Sequence, residues 1–245
     1  AQGFDCLIEP NASVAVAFPV EGLVETVTVD RGDLVKAGQV LATLESSVER
    51  ASVLLAAARA QVESAQKSSQ VRLDFGVRRF VRTEEMYKKD LVPLKELDEA
   101  ETAKVLAEVG VFEARENQKI AELDLERAKT ALELRTLRSP VTGVVVERAV
   151  HPGEHTKQTP VLKLAQIDPL RVEVIVPVAQ LGRVAVGMHA EVTPEAPVNG
   201  VYQARVKVVD RVVDAASGTF GVRLELPNPD YRLPAGLKCK VRFLR

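Results

Sequence analysis

Two stretches of the chain repeat each other: VEGLVETVTVDRGDLVKAGQVL at 20–41 and VTGVVVERAVHPGEHTKQTPVL at 141–162. They align without a gap, so that the turn glycine Gly32 meets Gly153. Valine alternates with polar residues around each turn, which predicts half-buried strands. A glycine at each turn indicates a backbone conformation that other residues avoid. Because a few short strands cannot bury a core alone, we expect the two stretches to combine into one small β sandwich.

The segment between the repeats, 46–138, predicts a helical hairpin. It is dense in Ala, Leu, Glu, Lys and Arg and contains two glycines and one proline. Ser46 and Glu49 have the spacing of a capping box that starts a helix, and Pro140 favours a helix end just before it. The only break, Lys88–Pro93, leaves two arms of about 43 residues, each about 65 Å long at 1.5 Å per residue.

Both arms carry apolar positions at alternating spacings of three and four residues, the pattern of a coiled coil. In the second arm only Lys104 and Gln118 interrupt the pattern. In the first arm it falters at Gln66–Gln70 and resumes out of phase, as a stutter would make it. We therefore predict an antiparallel coiled-coil hairpin. The predicted seam is Leu97, Ala100, Lys104, Ala107, Val111, Ala114, Gln118, Ala121, Leu125, Ala128 and Leu132 in the second arm, and Val48, Ala51, Leu55, Ala58, Val62, Ala65, Leu73, Val77, Phe80 and Tyr87 in the first.

The composition excludes several classes of function. The 33 basic and 34 acidic side chains give a net charge of −1, which argues against nucleic-acid binding because phosphate neutralisation needs a basic surplus. No run of about 18 apolar residues exists, so we expect no membrane-spanning helix. Aromatic residues make up 4% of the chain, which disfavours a deep ligand pocket. No nucleophile, phosphate-binding or zinc-protease motif is present, so we expect neither an enzyme nor a cofactor.

Each repeat resembles half of a lipoyl or biotinyl carrier domain. The order of repeat, hairpin and repeat resembles the membrane fusion proteins, also called periplasmic adaptor subunits, of Gram-negative tripartite efflux and secretion systems. The family's hallmark after the hairpin is similar to RSPVTGVV at 138–145, and the one before it to the string from Gly32 to Leu41. Leu170–Pro177 and Asn228–Leu237 resemble a strand and the closing hairpin of the family's β-barrel domain.

The resemblance implies an elongated, multidomain α+β protein in three layers. An antiparallel coiled-coil α-hairpin would be inserted between two halves of a lipoyl-like (barrel-sandwich hybrid) domain, next to a small β-barrel domain. Phe4–Ile8 would pair into that barrel as its first strand. The implied boundaries are 1–12 and 167–245 for the barrel, 13–45 and 139–166 for the lipoyl-like domain, and 46–138 for the hairpin.

The family's function implies a non-catalytic periplasmic adaptor that bridges an inner-membrane efflux transporter to an outer-membrane channel of the TolC type. The transporter would be of the resistance-nodulation-division (RND) type, and the adaptor would assemble as a hexamer on the pump. It would reside in the periplasm, attached to the inner membrane by its transporter or by an N-terminal segment. Two alternatives stay open: an adaptor of an ABC-type exporter, and a lipoyl- or biotinyl-type carrier domain, although neither Lys36 nor Lys157 lies at the carrier position.

The family's docking motif at the hairpin tip is an Arg, three residues, a Leu, six residues and a Ser. In this chain Arg82, Met86 and Pro93 occupy those positions. The arginine matches, methionine is an apolar substitute for leucine, and proline replaces the hydroxyl. Leu91 and Val92 add apolar surface, so these five residues are the expected contacts with the channel. The alternative for Arg82 is a solvated helix charge.

Two further pairs of side chains have more than one interpretation. Cys6 and Cys239 fall in the implied first and last barrel strands, so they form either a disulfide in the oxidising periplasm or two buried thiols. A disulfide would close a loop of more than 200 residues and stabilise the fold by about 4–5 kcal/mol. His151 and His155 have metal-ligand spacing for a helix, but the Pro-Gly between them prevents one, so surface turn histidines are favoured over a metal site.

Overall fold

The computed structural model describes residues 3–157, 159–198 and 200–244. The helices form one unit, Ser46–Arg135, and the chain before and after it forms a second, β unit. The strands of the β unit are β1 (Phe4–Val16), β2 (Gly22–Val27), β3 (Leu34–Val35), β4 (Val40–Leu44), β5 (Thr136–Arg138), β6 (Gly143–Arg148), β7 (His155–Thr156), β8 (Leu162–Pro177), β9 (His189–Pro194), β10 (Tyr202–Val209), β11 (Thr219–Leu226) and β12 (Lys238–Phe243).

The two sequence repeats form one β domain through matched hydrogen bonds. The N–H of Val24 donates to the carbonyl of Glu154 over 2.8 Å, and at the equivalent place Val145 donates to Asp33 over 2.9 Å. The repeats also exchange short strands, because β3 pairs with β6 while β7 pairs with β2. The turn glycines of the two repeats have φ angles of 93° and 91°, which favour glycine.

The core of this domain contains equivalent apolar residues from both repeats. Neither half could enclose these side chains alone, since two or three short strands are marginal in water. The prediction that the repeats combine is therefore confirmed. The buried equivalents are Val24 and Val145, Val29 and Val150, and Leu41 and Leu162.

Six strands close into the predicted barrel, in the order β1, β12, β9, β10, β11 and β8, with β8 pairing back to β1. The strands β1 and β8 are long and antiparallel, and they pair from Cys6 and Val174 to Val16 and Leu162 with an irregularity between Pro10 and Ala12. One end of this ribbon lies in the barrel and the other in the domain built from the repeats. A barrel closed in this way leaves no unpaired strand edge. A short 3₁₀ helix, Val178–Gln180, follows β8.

A buried asparagine holds the loop between β11 and β12. The Asn228 Nδ2 atom donates to the carbonyls of Ile167 and Leu233, each over 3.0 Å, and its Oδ1 accepts the N–H of Leu233 over 3.1 Å. Its own N–H donates to an Asp168 carboxylate oxygen over 2.8 Å. Because buried polar groups are costly without partners, this side chain fixes the loop against the middle of β8.

Replacing this residue, Asn228→Ala, is expected to lower the free energy of unfolding by about 3 kcal/mol, since two carbonyls and one N–H lose their buried partner. Urea denaturation followed by circular dichroism measures the loss. Asn228→Asp is the matched variant, because it keeps the side-chain volume and the acceptor but removes both donated bonds. We expect its free energy of unfolding to fall by part or all of the amount lost in Asn228→Ala. A midpoint unchanged in both variants would contradict this role.

The helical unit consists of α1 (Ser47–Ala60), α2 (Ser64–Tyr87) and α3 (Leu94–Glu133). The second arm therefore ends at Glu133 and not at Arg138 as expected. The reason is pairing: Thr136–Arg138 forms β5 beside β4, and strand hydrogen bonds replace helical ones. The predicted seam of α3 is confirmed, because every predicted position in that helix is buried or half-buried.

The first helix of the first arm, α1, packs in a different phase from the predicted seam, whereas Leu73 and Phe80 of α2 are half-buried as predicted. Val48 and Leu55 are 69% and 55% exposed, while the shielded positions of α1 include Val53 and Ala56. The predicted capping box is also wrong, since Ser46 makes no side-chain capping bond. The carboxylate of Glu49 instead accepts a 2.6 Å hydrogen bond from Arg135.

The first arm is interrupted at Gln61–Glu63, between α1 and α2. The side-chain amide of Gln118 on α3 donates to the Ala60 carbonyl at this break, which satisfies a group that the interrupted helix leaves open. Beside the break, Lys67 Nζ lies 2.8 Å from a Glu63 oxygen, and this contact lowers the pKa of Glu63 and raises that of Lys67. The polar interruption of the predicted seam at Gln118 thus has a structural cause.

The other polar seam residue, Lys104, lies at a close approach of α2 to α3. A Cβ atom on Gly76 would stand 3.3 Å from the Lys104 Cα, so the glycine permits the approach. The Lys104 ammonium lies 5.3 Å from the centre of the Phe80 ring, within cation–π range, and 3.6 Å from a Glu108 oxygen. Its charge is therefore compensated within the hairpin.

The two glycines of the hairpin should respond differently to alanine. A Cβ on Gly110 would meet nothing within 4 Å, so Gly110→Ala is expected to stabilise the hairpin by about 1 kcal/mol through helix propensity. Gly76→Ala should not stabilise the hairpin in this way, because its Cβ atom would force the Lys104 backbone to move. Thermal unfolding of both variants provides the comparison, and equal shifts would contradict the close approach at Gly76.

Candidate functional site: the hairpin tip

The tip is a tight connection between α2 and α3. Asp90 has a φ of 55°, the left-handed conformation that ends many helices. The N–H of Leu91 donates to the Met86 carbonyl over 3.0 Å, and that of Asp90 donates to Tyr87 over 2.9 Å, which is the Schellman pattern. Pro93 then precedes α3 with a φ of −75°. These bonds satisfy the end of α2 and fix the course of the connection.

The structure brings four of the predicted docking residues together at this connection. Leu91 is 66% and Met86 43% exposed, and their backbones are hydrogen-bonded to each other. Val92 is half-buried and Pro93 exposed. Arg82 lies one turn before Met86, and its Nε donates to the Arg78 carbonyl over 3.3 Å. The tip thus presents an apolar apex beside a cation, and its role in docking stays a prediction.

A row of arginines on α2 was not predicted from the sequence. Arg72, Arg78, Arg79 and Arg82 are exposed, and within the described ranges none of them has a carboxylate partner. Part of the signal was present in the sequence, since no acidic residue stands three or four positions from Arg72 or Arg79. Exposed Phe75 accompanies the row.

Cys6 and Cys239 lie opposite each other on β1 and β12. Their Cα atoms are 4.9 Å apart and their sulfur atoms are at bonding distance, 2.01 Å. Both residues belong to the barrel core, with exposed fractions of 8% and 1%. This placement supports the disulfide interpretation, since the Cα separation lies within the range that a disulfide spans.

The histidines lie in and beside a turn of the second repeat. His151 is exposed, and its Nδ1 stands 3.5 Å from a Glu154 oxygen; His155 begins β7 and is exposed. Among the residues that the structure describes, no group of three metal-ligating side chains occurs. In the same ranges no helix has the length and apolar character needed to cross a bilayer. Lys36 and Lys157, the candidate carrier lysines, are both exposed.

Two family models match the chain. A model described as "CzcB-like, barrel-sandwich hybrid domain" matches residues 12–166, and one described as "CusB-like, beta-barrel domain", of the RND barrel group, matches residues 170–245. The first covers more than half of the chain and includes the hairpin.

Curated relatives and a solved structure agree with these models. The cobalt-zinc-cadmium resistance protein CzcB of Cupriavidus metallidurans is 27% identical over 217 residues, which is 88% of this chain and 39% of that protein. The macrolide export protein MacA of Yersinia pestis is 28% identical over 239 residues, 93% of this chain and 63% of that protein. The chain thus spans less than two thirds of these relatives.

The crystal structure of MacA from Actinobacillus actinomycetemcomitans superposes with a TM-score of 0.81 at 21% identity, covering 99% of this chain and 77% of that one. This match shows the same fold. With a barrel-sandwich hybrid assembled from two repeats, a helical hairpin between them and a closed six-stranded barrel, the chain belongs to the membrane fusion protein family.

Proposed function

We propose that the chain is a non-catalytic periplasmic adaptor that bridges an inner-membrane efflux transporter to an outer-membrane channel of the TolC type. The observation that carries the proposal is the helical hairpin between the two halves of one β domain. A hairpin whose α3 has 40 residues measures about 60 Å at 1.5 Å per residue. Its surface offers contacts for other proteins, and its apex is apolar.

The apex is the proposed contact with the channel. Leu91, Met86 and Val92 supply the apolar centre, with Pro93 at the start of α3 and Arg82 at the margin. Interfaces depend on a few such anchors surrounded by polar residues. An apolar apex on a rigid, hydrogen-bonded connection loses little conformational entropy on binding.

The proposed inner-membrane partner is an RND-type transporter, and the proposed assembly on the pump is a hexamer. The match of the barrel to a CusB-like model of the RND group supports this choice over an ABC-type exporter. Placement in the periplasm, at the inner membrane, follows from bridging the two membranes. The pair Cys6 and Cys239 supports that compartment, because disulfides persist in oxidising environments.

The docking proposal is tested by placing charge at the apex. The double variant Met86→Asp/Leu91→Asp, expressed with its own transporter and channel, is expected to recover at least about tenfold less channel upon purification of the adaptor, since desolvating carboxylates against an apolar groove is costly. Recovery of the transporter should not change.

The matched control is Val81→Asp, which changes an exposed residue of the same helix (44% exposed) away from the apex. It should recover normal amounts of channel. Equal recovery with all three chains, or equal loss with the control, would contradict docking through the apex. Thermal unfolding of each variant confirms that the hairpin is intact.

A further inference from the structure

We propose that the β unit binds one phospholipid molecule, with an acyl chain in an apolar cleft beside the β1–β8 ribbon and a zwitterionic head at Lys163 and Glu147. The proposal concerns the β unit itself and does not depend on the adaptor function. Its starting point is an open cleft of about 420 Å³ where the barrel meets the domain built from the repeats, which we call the junction cleft. This volume lies within the range of about 300–1,000 Å³ that small-molecule sites have.

The side chains that line the junction cleft are hydrocarbon. Val146 of β6 is 42% exposed, Ile167 of β8 is half-buried, and the loop before β12 forms the opposite wall. The lining also includes Pro10, Val144, Ala165, Pro234 and Ala235. Water in such a cleft has no polar side chain to bond. An apolar ligand can therefore displace this water without leaving a side-chain hydrogen bond unmade.

A peptide strand does not fit the junction cleft, because the backbone on both walls is already paired. β6 lies between β8 and β3 in the sheet, and Val145 of β6 donates to Asp33 and accepts from Gly32, each over 2.9 Å. On the opposite wall the N–H of Gly236 donates to the Ile8 carbonyl over 2.7 Å. An added strand would gain no main-chain hydrogen bonds there. The walls thus favour a ligand without backbone polar groups, such as an acyl chain.

A pair of charged side chains lies farther along the same face of the sheet. Lys163, Ala165 and Ile167 are alternate residues of β8, so their side chains project from one face. Glu147 of β6 stands opposite Lys163, and both line a second cleft of about 300 Å³. Lys163 is about 13 Å from Ile167 at 3.3 Å per residue. An acyl chain in the junction cleft can therefore place its head group at these two charges.

The two charges match a zwitterionic head. Lys163 and Glu147 are exposed, and among the residues that the structure describes neither forms an ion pair. A phosphoethanolamine head has a phosphate next to the acyl part of the lipid and an ammonium group beyond it. The phosphate complements the Lys163 ammonium, and the ammonium of the head complements the Glu147 carboxylate. A head with a single charge would be attracted by one of these side chains and repelled by the other.

Short lysophospholipids test the site as monomers, below their critical micelle concentrations. Isothermal titration calorimetry with octanoyl, decanoyl and dodecanoyl lysophosphatidylethanolamine should show one lipid per chain. The dissociation constant should fall about fourfold for each added methylene until the cleft is full. Lysophosphatidylglycerol of equal chain length should bind about fivefold more weakly, as expected from the loss of one exposed ion pair. No saturable binding of a monomer, equal affinity for both heads, or binding to phosphatidylethanolamine vesicles alone overturns the proposal.

Substitutions test the position of the acyl chain and of the head. Val146→Asp should raise the dissociation constant at least about tenfold, because the acyl chain would have to desolvate the new carboxylate. The matched control is Val212→Asp, the same change at a residue that is 82% exposed on the connection between β10 and β11, and it should bind normally. Glu147→Lys should reverse the preference in favour of lysophosphatidylglycerol. Thermal unfolding of each variant shows that the β unit is intact. Equal binding by Val146→Asp and its control, or an unchanged head preference in Glu147→Lys, overturns the proposed site.

Discussion

Replacing Gly143 by alanine is expected to destabilise the repeat-built domain by at least about 3 kcal/mol. Gly143 is buried at the start of β6, and a Cβ atom there would stand 2.2 Å from the carbonyl oxygen of Ala165 and 2.8 Å from its carbon. Overpacking usually costs about 1–3 kcal/mol because side chains can give way. Here the neighbour is the backbone of β8, which is hydrogen-bonded to both β6 and β1. The clash can therefore be relieved only if β8 moves away from one of these strands.

Urea denaturation of Gly143→Ala measures the effect, and Gly153→Ala is the matched control. A Cβ on Gly153 would meet nothing within 4 Å, so alanine there suffers only from the positive φ, at a cost of about 1 kcal/mol. If Gly143→Ala lowered the free energy of unfolding no more than this control does, the close approach of β6 to β8 would not hold in solution.

Reducing the pair Cys6 and Cys239 is expected to lower the stability of the barrel by about 5–6 kcal/mol in the chain-entropy model, because the bond closes a loop with a sequence separation of 233. The bond joins β1 to β12, the first and last strands of the closed ring. In the reduced chain these strands are held only by their hydrogen bonds and packing. Denaturant titration with and without dithiothreitol, followed by circular dichroism, measures the difference.

The control is the double variant Cys6→Ala/Cys239→Ala. It should unfold at the midpoint of the reduced chain, apart from a small cost for lost packing volume, and should not respond to dithiothreitol. Two free thiols in the unreduced, denatured protein, together with a midpoint insensitive to reductant, would show buried thiols instead of a disulfide.

The architecture could be predicted because it leaves strong local patterns. The ungapped repeat predicted two halves of one domain, and the structure confirms it in matched hydrogen bonds such as Val24 to Glu154 and Val145 to Asp33. The seam of α3 was predictable for the same reason, since its spacing of three and four residues continues in one phase from Leu97 to Leu132.

The phase of α1 could not be predicted, because alanines and other apolar residues stand on more than one side of that helix. Val48 with Leu55, and Val53 with Ala56, both satisfy a helical spacing. The observed phase places Glu49 beside Arg135, 86 residues away in the sequence. A local pattern carries no information about such a partner.

The role of Asn228 could not be predicted from the sequence for the same physical reason. Its amide bridges Ile167 and Leu233, and the first lies 61 residues away. The tip could be predicted only in part. The sequence predicted its position, but the left-handed conformation of Asp90, which brings Met86 and Leu91 together, is seen only in the folded turn. In the arginine row, by contrast, the lack of a nearby carboxylate could be predicted from spacing for Arg72 and Arg79.

The pairing of β4 with β5 has a consequence for how such chains can vary. Thr43 stands opposite Thr136, so the chain departs into the helices and comes back on adjacent, hydrogen-bonded strands. The distance between the strand that precedes the hairpin and the strand that follows it is therefore the same for a long hairpin and for a short one. Whole heptads can be gained or lost in matched pairs without disturbing the β unit, so the length of the hairpin is adjustable independently of the strands that hold the β unit together.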